Sequence, residues 1–500
     1  MTRSGVGDER AARFNELQAR LGPGLEANTP GSAQPHVCIV LPSFSVGESL
    51  LSHYANRIPA LEHRYLLSTL MLHRIESCEI VFLCSVAPTR DMIEYYASLV
   101  PAAARAGVRD RIRIFEIPDR SARSVAAKLL DRTDLLDELR DTIAGRAAFI
   151  EPWNVTEHEV DVALQLGAPI NGTSPDLWPL GFKSAGRKLF EEAGVPIPLG
   201  VEDVRSVGDV VAAVADIRRR RADLEAVIIK HDNSGAGDGN VVLELDGMPV
   251  VGADAEIESR VLALPDWFLT DLKAGGVVEE RIQGTGFSSP SAQVDIRPDG
   301  SIRVLATHEQ ELAGEHAQVY SGCRFPASPA YASRLADYAA AIGTALSARG
   351  ARGRLAVDFA VAMDDDGSWG VYALEVNLRK GGTTHPYVCL RHLVPGSYDA
   401  PAGAWRAEVD GSPRWYCSTD NLLDPAWTGL RPQVVIHAVE SAGLAFDGAA
   451  GAGVVLHMLS CLEIDGRFGL TAIGRTAEEA ATLYGATGAA VTAATQRPIG

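Results

Sequence analysis

Three side chains between Leu355 and Asn377 carry the clearest chemical signal in this 500-residue chain. Asp358 lies in the apolar run LAVDFAV. Glu375 and Asn377 lie in ALEVNL, and the turn DDDGSW separates the two runs. Side chains alternate across a strand, so Glu375 and Asn377 share a face, and a hairpin can bring Asp358 opposite them. Oxygen donors of this kind suit Mg²⁺, a hard ion that shares its shell with phosphates. Burying Asp and Glu among Val, Leu and Ala without a counter-ion is costly. The alternative is a pair of solvent-facing carboxylates on an edge hairpin.

A second stretch reads AVIIKHDNSGAGDGNVVLEL. Lys230 ends an apolar strand, and Gly235, Gly237 and Gly239 punctuate the loop before the next one. Glycines let backbone N–H groups approach phosphate oxygens, and a lysine beside them supplies a mobile point charge. A plain glycine-rich hairpin has the same appearance. No Gly-Lys-Ser/Thr opens a helix, so this is not a Walker A loop. Lys183 begins a helical stretch after NGTSPDLWPLG and could reach a phosphate, although a lone helical lysine is ordinarily just solvated. The run GGVVEERIQG ends an apolar strand in two acids. Its backbone can face an adenine edge, or it can simply be a strand end with surface charge.

These groups need a scaffold, and the hydrophobic pattern outlines one. VCIVLP (37–42), EIVFLCS (79–85), RIRIFEI (111–117) and AAFIEPW (147–153) read as strands alternating with helices near 61–72 and in RDMIEYYASLV, hence a parallel α/β layer. An amphipathic helix and a Gly/Pro/Ser loop precede it. Residues 181–193 read as a helix stopped by Gly194 and Pro196. β runs follow at 226–245, GGVVEERI, SAQVDIR and SIRVLATHE, then a long helix from Tyr331 to Arg349 and the hairpin already described. The tail from about residue 400 is rich in Gly and Ala, with one clear strand, GVVLHML (453–459).

Composition narrows the function classes. Apolar residues make up 46%, enough for a full core. Lys plus Arg minus Asp plus Glu gives 46 − 64 = −18, which repels nucleic acid and anionic lipid. Seven scattered cysteines without a C-x-x-C pair argue against a disulfide framework or zinc ribbon and suit a reducing, cytoplasmic setting. No signal peptide or apolar run of spanning length is visible.

The order helix lysine, strand lysine with glycine loop, VVEERI, then Asp…Glu-x-Asn is more specific than any of its pieces. With it the chain resembles the ATP-grasp superfamily, and most nearly the peptide ligases of the pheganomycin-biosynthesis type. The motifs carrying the resemblance include HYANRIPALEHRYLLSTLML, WPLGFKSAGRKLFEEAGVPIP, SGAGDGN, SAQVDIRPDG, ATHEQEL, QVYSGCRFPA, LEVNLRKGGTTHPY and GVVLHMLSCLEIDGRFGLTAIG. It implies a mixed α/β and α+β multidomain fold. After an N-terminal helix and linker (1–35) come a pre-ATP-grasp α/β domain (36–170), an ATP-grasp subdomain with the glycine loop (171–285), one with the Mg²⁺ site (286–400), and a C-terminal extension (401–500). It also implies an ATP-dependent carboxylate–amine ligase that forms an amide through an acyl phosphate.

Carried onto this chain, the resemblance makes Lys183 and Lys230 the phosphate-binding lysines and lays the loop from Ser234 to Asn240 over the β- and γ-phosphates. Glu279 to Ile282 line the adenine, with Glu280 and Ile282 acting through their backbone. Asp358, Glu375 and Asn377 hold two Mg²⁺ ions, and Arg379 steadies the carboxylate or its acyl phosphate. Arg324 joins Lys230 and Arg379 as a candidate for the reaction itself. Arg324 or Lys380 could bind a substrate carboxylate, and His308 or Glu309 could take the amine proton; for each of these, and for His385, a structural role is the commoner one. The implied partners are an amino-acid or peptide carboxylate and an amine, with a homo-oligomer left open. The same nucleotide site could serve a γ-glutamyl-type or acid–thiol ligase, or a non-catalytic nucleotide-binding module.

Overall fold

The computed structural model describes residues 3–44, 55–234, 239–313, 319–364 and 366–496. Strands β1 (His36–Leu41), β2 (Cys78–Cys84), β3 (Ile112–Glu116) and β4 (Ala147–Pro152) form a parallel sheet in the order β3-β2-β1-β4. Every residue of β1 is buried, as expected when helices cover both faces of a parallel sheet. The segment read as a helix at 61–72 is one short α-helix, Ile58–His63, followed by a 3-10 stretch, Arg64–His73. The run GPGLEA, expected as loop, is a short helix, Leu21–Ala27. Its Leu21 and Ala27 are buried, and a Cβ at Gly24 would already touch Phe149 at 3.5 Å, so packing overrides the two glycines and the proline.

A second, antiparallel sheet comprises β5 (Gly200–Val201), β6 (Ala226–His231), β7 (Asn240–Glu244) and β8 (Gly276–Glu280), ordered β5-β8-β6-β7. Helix Val207–Arg220 covers it through Val210, Val214 and Ile217 against Val227 and Ile229.

The third sheet is built from β9 (Pro290–Ile296), β10 (Ile302–Ala313), β11 (Val319–Phe325), β12 (Gly353–Met363), β13 (Trp369–Asn377), β14 (Gly396–Asp399), β15 (Ala404–Ala407), β16 (Pro413–Leu423), β17 (Gly453–His457) and β18 (Arg467–Gly474). The main path runs β13-β12-β9-β10-β11-β16-β15-β14, and β18 joins β17 to β16. Helix Ala332–Ala348 closes one face with Leu335, Ile342 and Leu346 against Val294, Val357 and Phe359, leaving the opposite face for polar groups. The tail therefore holds more strands than its Gly/Ala composition indicates: β16 extends the central sheet by pairing with β11. Among the described residues no helix is long and apolar enough to cross a membrane, and all seven cysteines are free and buried.

One buried joint ties the first sheet to the third. Past β13, Lys380 Nζ sits 2.5 Å from Glu151 Oε1 and also donates to the Pro152 carbonyl at the end of β4. Asn171 Nδ2 donates to the other Glu151 oxygen at 2.8 Å. Burial alone would lower the Lys380 pKa and raise that of Glu151. The partnership reverses this for Glu151, whose carboxyl is held below its usual value. Lys380→Met leaves a largely buried carboxylate without its cation; we expect a loss of about 3 kcal/mol in urea unfolding, whereas an unchanged midpoint would show the joint to be energetically silent.

Candidate active site

The open faces of the third and second sheets bound a cleft of about 580 Å³, Ile228 and Lys230 of β6 lining it from the second. In the β12–β13 register Asp358 lies directly opposite Glu375, and Asn377 lies opposite Ala356, so all three side chains share the face toward the cleft. A register shift follows immediately between Asp358 and Phe359. Asn377 Nδ2 donates to Asp358 Oδ2 at 2.9 Å, leaving the Asn377 carbonyl oxygen for another partner. Gln310 Nε2 donates to Asp358 Oδ1 at 2.7 Å. Burial, then the facing Glu375, push the Asp358 carboxyl up to about 7. Two carboxylates held face to face in a low dielectric are a charge waiting for a cation, and a divalent ion would favour the ionised form of both. The donor set thus fits Mg²⁺.

Lys230 enters the cleft from the second sheet, and Lys183 stands beside it, touching the cleft wall at Glu375. Lys183 opens the helix Lys183–Glu192, whose Leu189 and Phe190 are buried in the core of the third sheet. Its Nζ lies 3.4 Å from Glu375 Oε2 and donates to Ser234 Oγ at 3.0 Å and to the Ser234 carbonyl at 3.1 Å. Lys183 thereby bridges the glycine loop and the carboxylate pair. Lys230 pairs with Glu279, whose second oxygen takes Arg187 Nη1 at 2.8 Å. Arg187 is anchored by Glu202 at 2.6 Å. These three residues form a buried support for Lys230.

The glycine loop is pinched at its base: a Cβ at Gly239 would come within 2.5 Å of the Ser234 Cβ, so only glycine fits there. Asn240, just past it, lines the cleft with its Oδ1 buried and without a hydrogen-bond partner among the described residues. Gly235 and Gly237 lie outside the described residues. At the end of β8, the Glu280 N–H donates to the Leu199 carbonyl at 2.7 Å, and the Glu280 carboxylate takes the Leu199 N–H and Arg221. Ile282 lines the cleft, and its N–H has no hydrogen-bond partner among the described residues. Of the two residues expected to meet the adenine through their backbone, Ile282 has its N–H without a partner among the described residues and Glu280 has its N–H engaged.

Arg379 reaches the cleft beside Asn377, with its guanidinium 4.8 Å from the centre of the Trp153 ring. Its one hydrogen bond among the described residues is from Nη1 to the Lys380 carbonyl at 3.2 Å. Burial lowers its pKa, opposed by Glu375 and Asp358. A guanidinium so weakly partnered retains donors for a carboxylate.

The remaining sequence candidates lie elsewhere. His308 is fully buried, bonded to the Tyr416 hydroxyl at 2.5 Å, and burial drives its ring down to about 3. Glu309 accepts from the Ser328 N–H at 2.8 Å and the Tyr331 hydroxyl at 2.6 Å. Arg324 is exposed beside Glu311 at 3.2 Å. Lys380 is held by Glu151. His385 is 2.8 Å from Asp420, whose other oxygen takes Arg64, in a buried group with His457. On β10 and β11 neighbouring residues face opposite sides, so polar residues around the site in sequence divide between cleft, core and solvent. Sequence reasoning missed Gln310, Arg187 and Trp153. Gln310 was within reach, because it lies in the motif ATHEQEL, but nothing in the sequence aligns it with Asp358.

The chain is 33% identical over 384 residues to the L-propargylglycine--L-glutamate ligase of Streptantibioticus cattleyicolor, covering 75% of this chain and 77% of that one. It belongs to the ATP-grasp ligases, in the peptide-ligase family of pheganomycin biosynthesis. A family model described as the PGM1 C-terminal domain matches residues 435–487. Among solved structures, a biotin carboxylase–nucleotide complex from Campylobacter jejuni covers 93% of this chain and 95% of its own, with TM-score 0.56 and 13% identity. An ADP complex of N5-carboxyaminoimidazole ribonucleotide synthetase covers 94% and 99%, with TM-score 0.50 and 15% identity. At these identities the last two show the shared fold.

For this ATP-grasp ligase, Asp358→Asn removes the repulsion across β12–β13. In chelator, the variant should resist urea better than the parent by about 1–3 kcal/mol. It should also lose the Mg²⁺ dependence of nucleotide binding in calorimetry. A less stable variant would show that the carboxylate pair is not frustrated.

Proposed function

We propose that this chain joins an amino-acid or peptide carboxylate to an amine at the cost of one ATP, by way of an acyl phosphate, as part of specialised metabolism in the cytoplasm. The observation that carries the reading is the convergence of Lys230, Glu375, Asp358, Asn377 and Arg379 on one cleft, with Lys183 behind Glu375 spanning the glycine loop and the carboxylate pair. The S. cattleyicolor relative is named for joining two amino acids, which supports substrates of that class.

ATP would lie with its adenine against Ile282 and its phosphates toward Lys230 and Lys183. Asp358, Glu375 and Asn377 would hold two Mg²⁺, which when bound neutralise charge on the phosphate oxygens. Arg379 orients the acid so that one carboxylate oxygen attacks the γ-phosphorus and ADP departs. Lys183, freed from Ser234, follows the charge on the transferred group. The amine then attacks the acyl carbon, and Arg379 donates to the tetrahedral oxyanion. Phosphate leaves with the amine's proton and the amide forms. Keeping water from the acyl phosphate would fall to the loop from Ser234 to Asn240, whose residues 235–238 lie outside the described residues.

The decisive assay is a matrix of amino acids and short peptides scored by ADP release and product mass. We expect ADP release to require both an acid and an amine, and Arg379→Ala to lower turnover about 10²- to 10³-fold with nucleotide affinity retained. ADP formation with acid alone would make the chain a kinase. Thiol-dependent turnover would make it a thioester synthetase. Nucleotide binding with no turnover across the matrix would make it a binding module.

A further inference from the structure

A second cavity, of about 370 Å³, lies between the first sheet and the same face of the third sheet that carries the catalytic carboxylates. Following β12 back from Asp358 gives Ala356 and then Arg354, opposite Ser291, Gln293 and Asp295 on β9. Asp295 is in turn the partner of Arg303 on β10. One carboxylate thus stands between two guanidiniums on adjacent strands. Helix Thr384–Leu393 brings Arg391 and His392 to the same space, and Arg74 enters from the first domain.

The charges do not balance. Arg74 is 3.5 Å from Glu408, which lies outside the cavity wall. Among the described residues Arg354, Arg303 and Arg391 pair with no carboxylate at contact distance. Arg354 Nε and His392 Nδ1 are buried without any hydrogen-bond partner. The other acids on the wall are Glu151, committed to Lys380, and the exposed Glu26 and Asp299. Burial and the neighbouring Arg354 and Arg303 depress the Arg391 pKa, and burial with Arg391 and Arg74 nearby keeps His392 neutral. Arg354, Arg391 and Arg74 are half-buried and Arg303 is exposed at the rim; guanidiniums drawn this close together and partly out of water are costly without an anion between them. That they gather here, in a chain of net charge −18, is the opposite of its general surface.

We propose that this cavity binds a small metabolite through an oxyanion head, phosphate or carboxylate, gripped by Arg354 and Arg391 with Arg303 and Arg74 around it. The volume is that of a small-molecule site, and paired guanidinium forks match either head. The site is separate from the nucleotide cleft: Gln293 Nε2, bonded to the Thr383 carbonyl at 2.7 Å, and the Lys380–Glu151 joint stand between them. Lys380 is also the residue after Arg379, so an anion here lies one residue from the proposed carboxylate clamp.

The test is thermal unfolding of the full chain in chloride buffer with saturating Mg·ADP, titrated with inorganic phosphate in one arm and glutarate in the other. The wild-type midpoint should climb with at least one of them, and the stronger response identifies the head group. Arg354→Gln and Arg391→Gln should each weaken that response about ten- to hundredfold. Without anion, Arg391→Gln should be at least as stable as the wild type, because it removes like-charge repulsion. If a Gln variant does not fold, Arg354→Lys and Arg391→Lys, which keep the charge but lose the fork, carry the same comparison. Equal responses in wild type and variants, or no response to either anion, would overturn the proposal whatever the ligase assay shows.

Discussion

Two carboxylates facing each other across an antiparallel pair of strands are an arrangement that a fold tolerates only for a purpose. Asp358 and Glu375 sit in register on β12 and β13, with apolar neighbours on both strands packed beneath them against the helix Ala332–Ala348. Burial first, and the facing Glu375 second, push the Asp358 carboxyl well above its usual range. Everything around the cleft answers that unbalanced charge. Lys183 leans on Glu375, the Asn377 and Gln310 amides donate to Asp358, and Arg379 hangs close by with donors to spare.

The rest of the molecule holds these groups in place. Lys183 is set by a helix packed on the third sheet but contacts a loop from the second, so it reports on the approach of the two sheets. Lys230 is set by a buried chain of alternating charge through Glu279, Arg187 and Glu202. Each member satisfies the next, and such a network is worth having only when complete. The Lys380–Glu151 joint does the same on the other side, fixing the segment after Asn377 against the end of β4.

Basic and acidic clusters are distributed unevenly in this chain. Its net charge is strongly acidic, yet half-buried arginines collect in the second cavity behind the cleft. Net charge describes long-range encounter, whereas binding depends on the few groups that face one another at close range. The two therefore need not agree in sign, and here they do not.

Much of this was written in the order of residues. The alternation in ALEVNL put Glu375 and Asn377 on one face, and the hairpin turn DDDGSW allowed Asp358 to come opposite them. The βα alternation of the first 150 residues foretold a parallel sheet, because continuous apolar runs can be buried only between helix layers. Local pattern failed where packing decides. GPGLEA became helical against Phe149, and the Gly/Ala tail proved to be sheet, because strand pairing there depends on partners distant in sequence, as Thr419 pairs with Gly322. The polar residues His308, Glu309, Arg324, Lys380 and His385 carry no mark in sequence to say which face they take or which partner claims them. Side-chain chemistry and spacing within one hairpin were thus determined by the sequence alone. Which distant charges meet, which are left unpaired, and which lie buried were decided only when separate sheets came together, since electrostatic worth depends on distance and solvent exposure in three dimensions.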